Sequence, residues 1–281
     1  MKWSICFLLL SASLYARATN DTSDTMEERL KALELRYQLA RIANNKDSFE
    51  KMPTTLARSN TTPRAVKKPK PTTYASCKET PAKVSGVYQL HLNDDSTPFN
   101  VYCEQEKFGG GWIVVQHRFD GSVDFYRNWT DYRDGFGELD NEFWLGLEKI
   151  HQITSARKHQ LLIEMKDFEG NYTFARYYEF HINNESLNYR LNILGSYTGT
   201  ASDGLSHHLR KRFSTKDRMY NNAGASGPGA DYYLGGWWYG ITSTSNLNGP
   251  YRYDMDPKTI WWYHYKRQKG LSFTRMMVRE Y

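Results

Sequence analysis

This sequence is short of cysteine, of long apolar runs and of the short motifs that mark catalytic machinery. Its three cysteines leave room for a single bridge, and no two of them are spaced for zinc. The longest apolar run, at the N-terminus, is too short to span a bilayer, and a mean hydropathy of −0.72 excludes a membrane-embedded bundle. Gly-x-Ser-x-Gly, His-Glu-x-x-His and phosphate-cradling glycine loops are all missing. An enzyme reading therefore lacks a nucleophile and a metal, and no cofactor is implied. What is present is apolar enough to fold: 40% of residues are hydrophobic and 15% aromatic, far above a fully disordered composition.

One stretch has no acidic residue at all. The chain holds 37 Lys and Arg against 31 Asp and Glu, a formal charge of +6 that invites a nucleic-acid reading. Residues 1–50 and residues 77–281 each sum to zero, so the whole surplus sits on Lys51, Arg58, Arg64, Lys67, Lys68 and Lys70. Attraction to a polyanion needs clustered charge on a folded surface, so no nucleic-acid partner is expected for the electrically balanced remainder.

The order of segments reads as an address, two appendages and a domain. Met1-Lys2, the apolar run Trp3 to Leu14 and Ala16-Arg17-Ala18 have the pattern of a secretory signal peptide over residues 1–18. Loss of Cys6 with that segment leaves Cys77 and Cys103 in an oxidising compartment, where they are expected to pair. The loop so closed removes about 3.5 kcal/mol of unfolded-chain entropy in the loop model. The sequons at Asn20, Asn60, Asn128, Asn171 and Asn184 fit the same extracellular destination.

Met26, Leu30, Leu33, Tyr37, Ala40 and Asn44 recur at heptad spacing, with Thr25 and Glu28 as a capping box, which predicts a short helix within residues 19–50. It either self-associates, making residues 25–50 an oligomerisation stalk, or packs as a lone helix. Residues 51–76 carry Pro53, Pro63, Pro69 and Pro71 with no periodicity and read as a disordered tether. Lys67-Lys68-Pro69-Lys70 is the place where such a tether could touch anionic glycans or lipid surfaces.

From Cys77 onward the texture changes to dense aromatics and glycine-punctuated apolar runs. Val87 to Leu92, Gly111 to Gln116, Leu161 to Met165 and Tyr172 to Ile182 read as strands, and Glu142 to Ile150 as a short helix, which points to an α+β domain. Seven of the eight Trp fall here, several beside Gly, as in Gly236-Trp237-Trp238. His207-His208 before Arg210-Lys211-Arg212 is a candidate metal or anion patch. Adjacent histidines on a strand point apart, however, and a solvated face is the favoured reading of the bases over a grip on sulfate or sialate. Lys266-Arg267-Gln268-Lys269 reads the same way.

An ordered set of residues gives this domain a resemblance. Ser85-Gly86-Val87-Tyr88, Pro98 to Cys103, Gly109-Gly110-Gly111-Trp112 and Asp120-Gly121-Ser122-Val123-Asp124-Phe125 come first. Arg127-Asn128-Trp129, Asn141 to Leu147, Phe213-Ser214-Thr215, Trp237-Trp238-Tyr239, Ser245 to Gly249 and Met276 to Arg279 follow. Together they resemble the fibrinogen C-terminal domain family, found in fibrinogens, ficolins, tachylectins, angiopoietins and many secreted invertebrate proteins. The resemblance implies a twisted, mainly antiparallel sheet with short helices over residues 77–281, and matches Cys77 and Cys103 to the family's first disulfide. It also implies a secreted, non-enzymatic binding module, lectin-like toward surface glycans or acetylated ligands, with a possible role in innate immunity. The alternative is a ligand for an extracellular protein receptor or matrix component. Avidity through an N-terminal stalk is usual in the family.

The departures from the family fall in the C-terminal third. The second disulfide's positions hold Gly229 and Thr242. The calcium loop keeps Asp217 but has Met219 and Asn221 where carboxylates bind the ion, so no family-type calcium site is expected. Ser243 replaces a pocket histidine. The remaining ligand-binding candidates are Tyr232, Tyr233, Trp237, Trp238, Tyr239, Ser243, Asn246 and Tyr251, rings on which a sugar could stack beside one amide.

Overall fold

The computed structural model describes residues 72–281 except 82, 95, 221–228, 266 and 268. The signal peptide, the heptad helix, Asn20, Asn60, Asn221 and all but the end of the tether lie outside the described residues.

Twelve strands are present among the described residues. The main sheet runs β1 (Gly86–Leu90), β2 (Phe99–Glu104), β3 (Trp112–Arg118), β12 (Leu271–Glu280), β6 (His159–Asp167), β7 (Tyr172–Ile182) and β8 (Leu191–Leu194), every neighbouring pair antiparallel. The last strand in sequence thus lies at the centre, between β3 and β6. Two-residue strands β4 (Phe136–Gly137) and β5 (Phe143–Trp144) extend from β3, β9 (Tyr197–Gly199) pairs with β7, and β10 (Ser245–Asn246) pairs with β11 (Trp261–Trp262) apart from the sheet. This is the α+β architecture expected, and the four expected strands fall on β1, β3, β6 and β7.

Burial follows position in the sheet. In β6 every residue except Lys166 is buried, as a strand covered on both faces requires. In β7 the inward residues are Thr173, Ala175 and Tyr177, then Phe180 and Ile182. The parity changes where the β6–β7 register shifts, since one extra residue moves every later side chain to the other face.

Helix α1 (Trp129–Asp134) begins at Asn128, whose N–H donates to Asp131 at 3.4 Å. Helix α2 (Leu147–Ala156) buries Leu147, Ile150, Ile153 and Thr154 on one face and packs on β7. The sequence placed that helix at Glu142 to Ile150, five residues too early. Phe143 and Trp144 instead pair with His117 and Gln116 of β3, respectively, and Gly146, at φ 114°, makes the turn into the helix. A Cβ there would lie 2.8 Å from the Asp134 carbonyl, so only glycine fits. Cys77 and Cys103 are bridged, with Cα atoms 5.6 Å apart. Among the described residues no helix is long and apolar enough to cross a membrane.

Candidate functional site

The C-terminal third is built on Trp237 and Trp238. Gly236 precedes them without a side chain because a Cβ would come within 2.6 Å of the Tyr132 ring. Trp238 donates Nε1–H to the Tyr189 carbonyl at 2.8 Å and packs edge-on against Phe213, ring centroids 5.1 Å apart. Trp237, Trp238, Tyr239 and Asn246 are fully buried. In this structure they present no face to solvent: rings this large next to glycine fill the interior. Asn246 ties the structure together from inside, donating Nδ2–H to the Tyr233 carbonyl at 3.0 Å.

The other candidates divide. Tyr233 is buried and stacked on Tyr239, centroids 4.9 Å apart. Ser243 is half-buried with its hydroxyl oxygen out of solvent. Tyr251 is half-buried and donates its hydroxyl to the Phe119 carbonyl at 3.0 Å. Of the eight residues only Tyr232 is exposed. It stands on α3 (Ala230–Tyr233), the single turn that begins at Gly229, and Lys258 lies 5.6 Å over its ring. The Asn246 amide and the Tyr233–Tyr239 stack tie this turn to the segments that follow without a covalent link.

At the calcium positions, Asp217 accepts the Trp129 N–H at 2.9 Å and the Thr215 hydroxyl at 2.7 Å, so its carboxylate is committed to the start of α1. Met219 is exposed. Among the described residues no group of three or more His, Cys, Asp or Glu is placed to hold a metal ion. The described sequons Asn128, Asn171 and Asn184 are all on the surface, although Asn171 donates Nδ2–H to Asp167 at 2.8 Å.

His207 and His208 are not on a strand. They occupy a 3₁₀ turn, Ser206–His208, that leaves His207 exposed and buries His208 completely. His208 Nδ1 is 2.8 Å from the Trp238 carbonyl, which can only accept, so the proton sits on Nδ1. Nε2 then accepts from the Thr244 N–H at 3.4 Å. Burial pushes this imidazole down to about 4. Its folded value lies below the ordinary 6.5, so the unfolded chain binds the proton first as pH falls, and stability present above about 6.5 is lost toward 4. Wild type is expected to lose about 3 kcal/mol by pH 4 that a His208→Gln variant does not. Urea unfolding of both proteins from pH 7 to pH 4 checks this, and parallel curves would refute it.

Sequence reasoning missed the exposed apolar side chains of this third: Ile241, Tyr253, Met255 and Tyr263, which with Met219 and Tyr232 are 44% to 69% exposed. They lie in turns without periodicity, so no sequence signal separates them from core residues. Tyr253 stands against Phe168, centroids 5.1 Å apart, and donates its hydroxyl to Glu169 at 2.8 Å.

Comparison with known proteins agrees with this architecture. Residues 73–281 match the family described as fibrinogen beta and gamma chains, C-terminal globular domain. Human tenascin-R is 44% identical over 200 residues, covering 70% of this chain and 14% of tenascin-R, so the chain spans a small part of that relative. The fibrinogen-like globe domain of human ANGPTL2 superposes with a TM-score of 0.70 at 36% identity, covering 74% of this chain and 99% of that one. Lamprey fibrin D-dimer, complexed with the peptide Gly-His-Arg-Pro-amide, gives a TM-score of 0.67 at 28% identity, covering 99% of this chain and 94% of that one. A family profile that matches residues 73–281, with solved relatives that superpose at TM-scores of 0.67 and 0.70, leaves one conclusion: the chain belongs to the fibrinogen C-terminal globular domain family.

Proposed function

We propose that this is a secreted, non-enzymatic recognition protein whose domain binds an extracellular protein partner through the exposed apolar side chains of its C-terminal third. One observation carries the reading. Of the rings offered for sugar stacking, Tyr233, Trp237, Trp238 and Tyr239 are inside, whereas Met219, Tyr232, Ile241, Tyr253, Met255 and Tyr263 are outside. Aromatic and methionine side chains on a surface are the residues that anchor protein interfaces. The relatives supply context: tenascin-R and ANGPTL2 share the domain, and the lamprey fibrin relative holds a peptide. Glycan binding and a role in innate immunity lose the stacking platform on which they rested. Calcium takes no part in this reading, and residues 25–50 supply avidity by oligomerising.

The test uses the full chain on cultured cells. Binding is expected to disappear after protease treatment of the cells, to survive chelator and acetylated sugars, and to weaken about tenfold in a Tyr253→Ser, Met255→Ser double variant. Protease-resistant binding that acetylated sugars abolish would return the reading to a lectin.

A further inference from the structure

The loop from Gly121 to Tyr126 and the turn from Pro250 to Arg252 face each other across a cleft of about 500 Å³. Arg118 contributes to it although the residue is only 1% exposed. Its guanidinium lies 3.8 Å over the Phe125 ring, which lines the same cleft. Nε donates to Glu142 at 3.3 Å and Nη1 to the Gly249 carbonyl at 2.8 Å. Among the described residues Nη2 has no hydrogen-bond partner, yet it carries two N–H donors. A nearly buried cation whose remaining edge borders a cleft can donate there to an acceptor from outside, a charge-assisted hydrogen bond in a partly water-excluded site.

Glu142 does not consume this capacity. Its Oε1 accepts from the N–H groups of Phe119, Asp120 and Gly121, so its negative charge is shared among several donors. Arg252, exposed at the rim, adds positive charge to the cleft. Asp124 adds one negative charge, and its Oδ1 accepts the Tyr126 N–H at 2.8 Å. That carboxylate disfavours a dianion such as sulfate. Val123, Leu234 and Pro250 give part of the wall an apolar surface, against which the methylenes of a side chain can pack.

We propose that this cleft binds a single carboxylate, presented by a Glu or Asp side chain of a peptide segment in a protein partner, with Arg118 Nη2 as the principal donor and Arg252 as the rim charge. The full chain would be titrated calorimetrically with N-acetyl-glutamate amide, and in separate arms with N-acetyl-glutamine amide, sialic acid and sodium sulfate at matched ionic strength. Saturable binding of the glutamate probe and none of the glutamine probe is expected. Arg252→Ala should weaken it about threefold, and Asp124→Asn, which keeps the oxygen that accepts from Tyr126, should tighten it about threefold. Amide shifts at Gly121 and Ser122 in wild type locate the probe without altering Arg118, whose removal would strand Glu142. Equal binding of both probes, no saturable binding, an affinity unchanged by Asp124→Asn, or binding of sialic acid or sulfate alone would each overturn the proposal.

Discussion

Glu142→Leu is expected to destabilise the domain by about 3 to 5 kcal/mol, measured by urea unfolding at neutral pH. The carboxylate is fully buried between β4 and β5 and gathers donors from three directions. Oε1 accepts from Phe119 N–H at 2.6 Å, Asp120 N–H at 3.0 Å and Gly121 N–H at 2.9 Å, and Oε2 from Arg118 Nε at 3.3 Å. Burial alone would push the Glu142 carboxyl up, but Arg118 and these amides hold it below the ordinary carboxylate value. Its contribution is therefore present above about 4.5 and lost as pH falls through the lowered folded value. Leucine leaves Arg118 charged, buried and short of a counterion, and leaves the four backbone donors of Phe119, Asp120, Gly121 and Val123 unpaired. Replacing Arg118 with Leu as well should recover much of the loss, because the isolated charge is the main cost. A double variant no better than Glu142→Leu would place the cost in the amide contacts.

Arg275→Met is expected to cost a similar amount, about 3 to 5 kcal/mol at neutral pH. Arg275 stands on the central strand and divides its guanidinium between two buried carboxylates, Glu104 through Nη1 at 2.7 Å and Glu164 through Nε at 2.7 Å. Lys107, half in solvent, reaches only Glu164, at 3.4 Å. Burial works to raise the Glu104 carboxyl, and the N–H groups of Lys107 and Glu106 together with Arg275 bring it below its ordinary value. In wild type that part of the stability is present above about 4.5 and fades as pH falls. Without Arg275 the opposing burial is no longer fully offset, so protonating Glu104 becomes favourable in the fold. The gap between variant and wild type should accordingly narrow from pH 7 to pH 4. A gap that stays constant would mean the arginine contributes packing and not charge.

Neither pair is legible in the sequence. Arg118 and Glu142 are 24 residues apart, and Arg275 and Glu104 are 171 apart, distances at which no spacing rule connects two side chains. The strands are legible because their evidence is local. The alternation through Thr173, Ala175 and Tyr177 repeats every two residues, and the sheet preserves that period until the bulge. The helix that starts at Leu147 is half legible. Its apolar face has the right period, but Phe143-Trp144 continues the same apolar texture, and only pairing with β3 makes it a strand.

The sequence by itself determined the family, the α+β sheet and the bridge between Cys77 and Cys103, because each rests on residue identity at fixed order along the chain. It could not decide which aromatic residues meet a partner. Tyr232 and Tyr233 are neighbours of one type on one short turn, yet the first is 44% exposed and the second 5%. What separates them is the ring of Tyr239, which stacks on Tyr233 and leaves Tyr232 to solvent. Exposure belongs to whatever packs opposite a side chain, and that is settled only when distant segments close on one another.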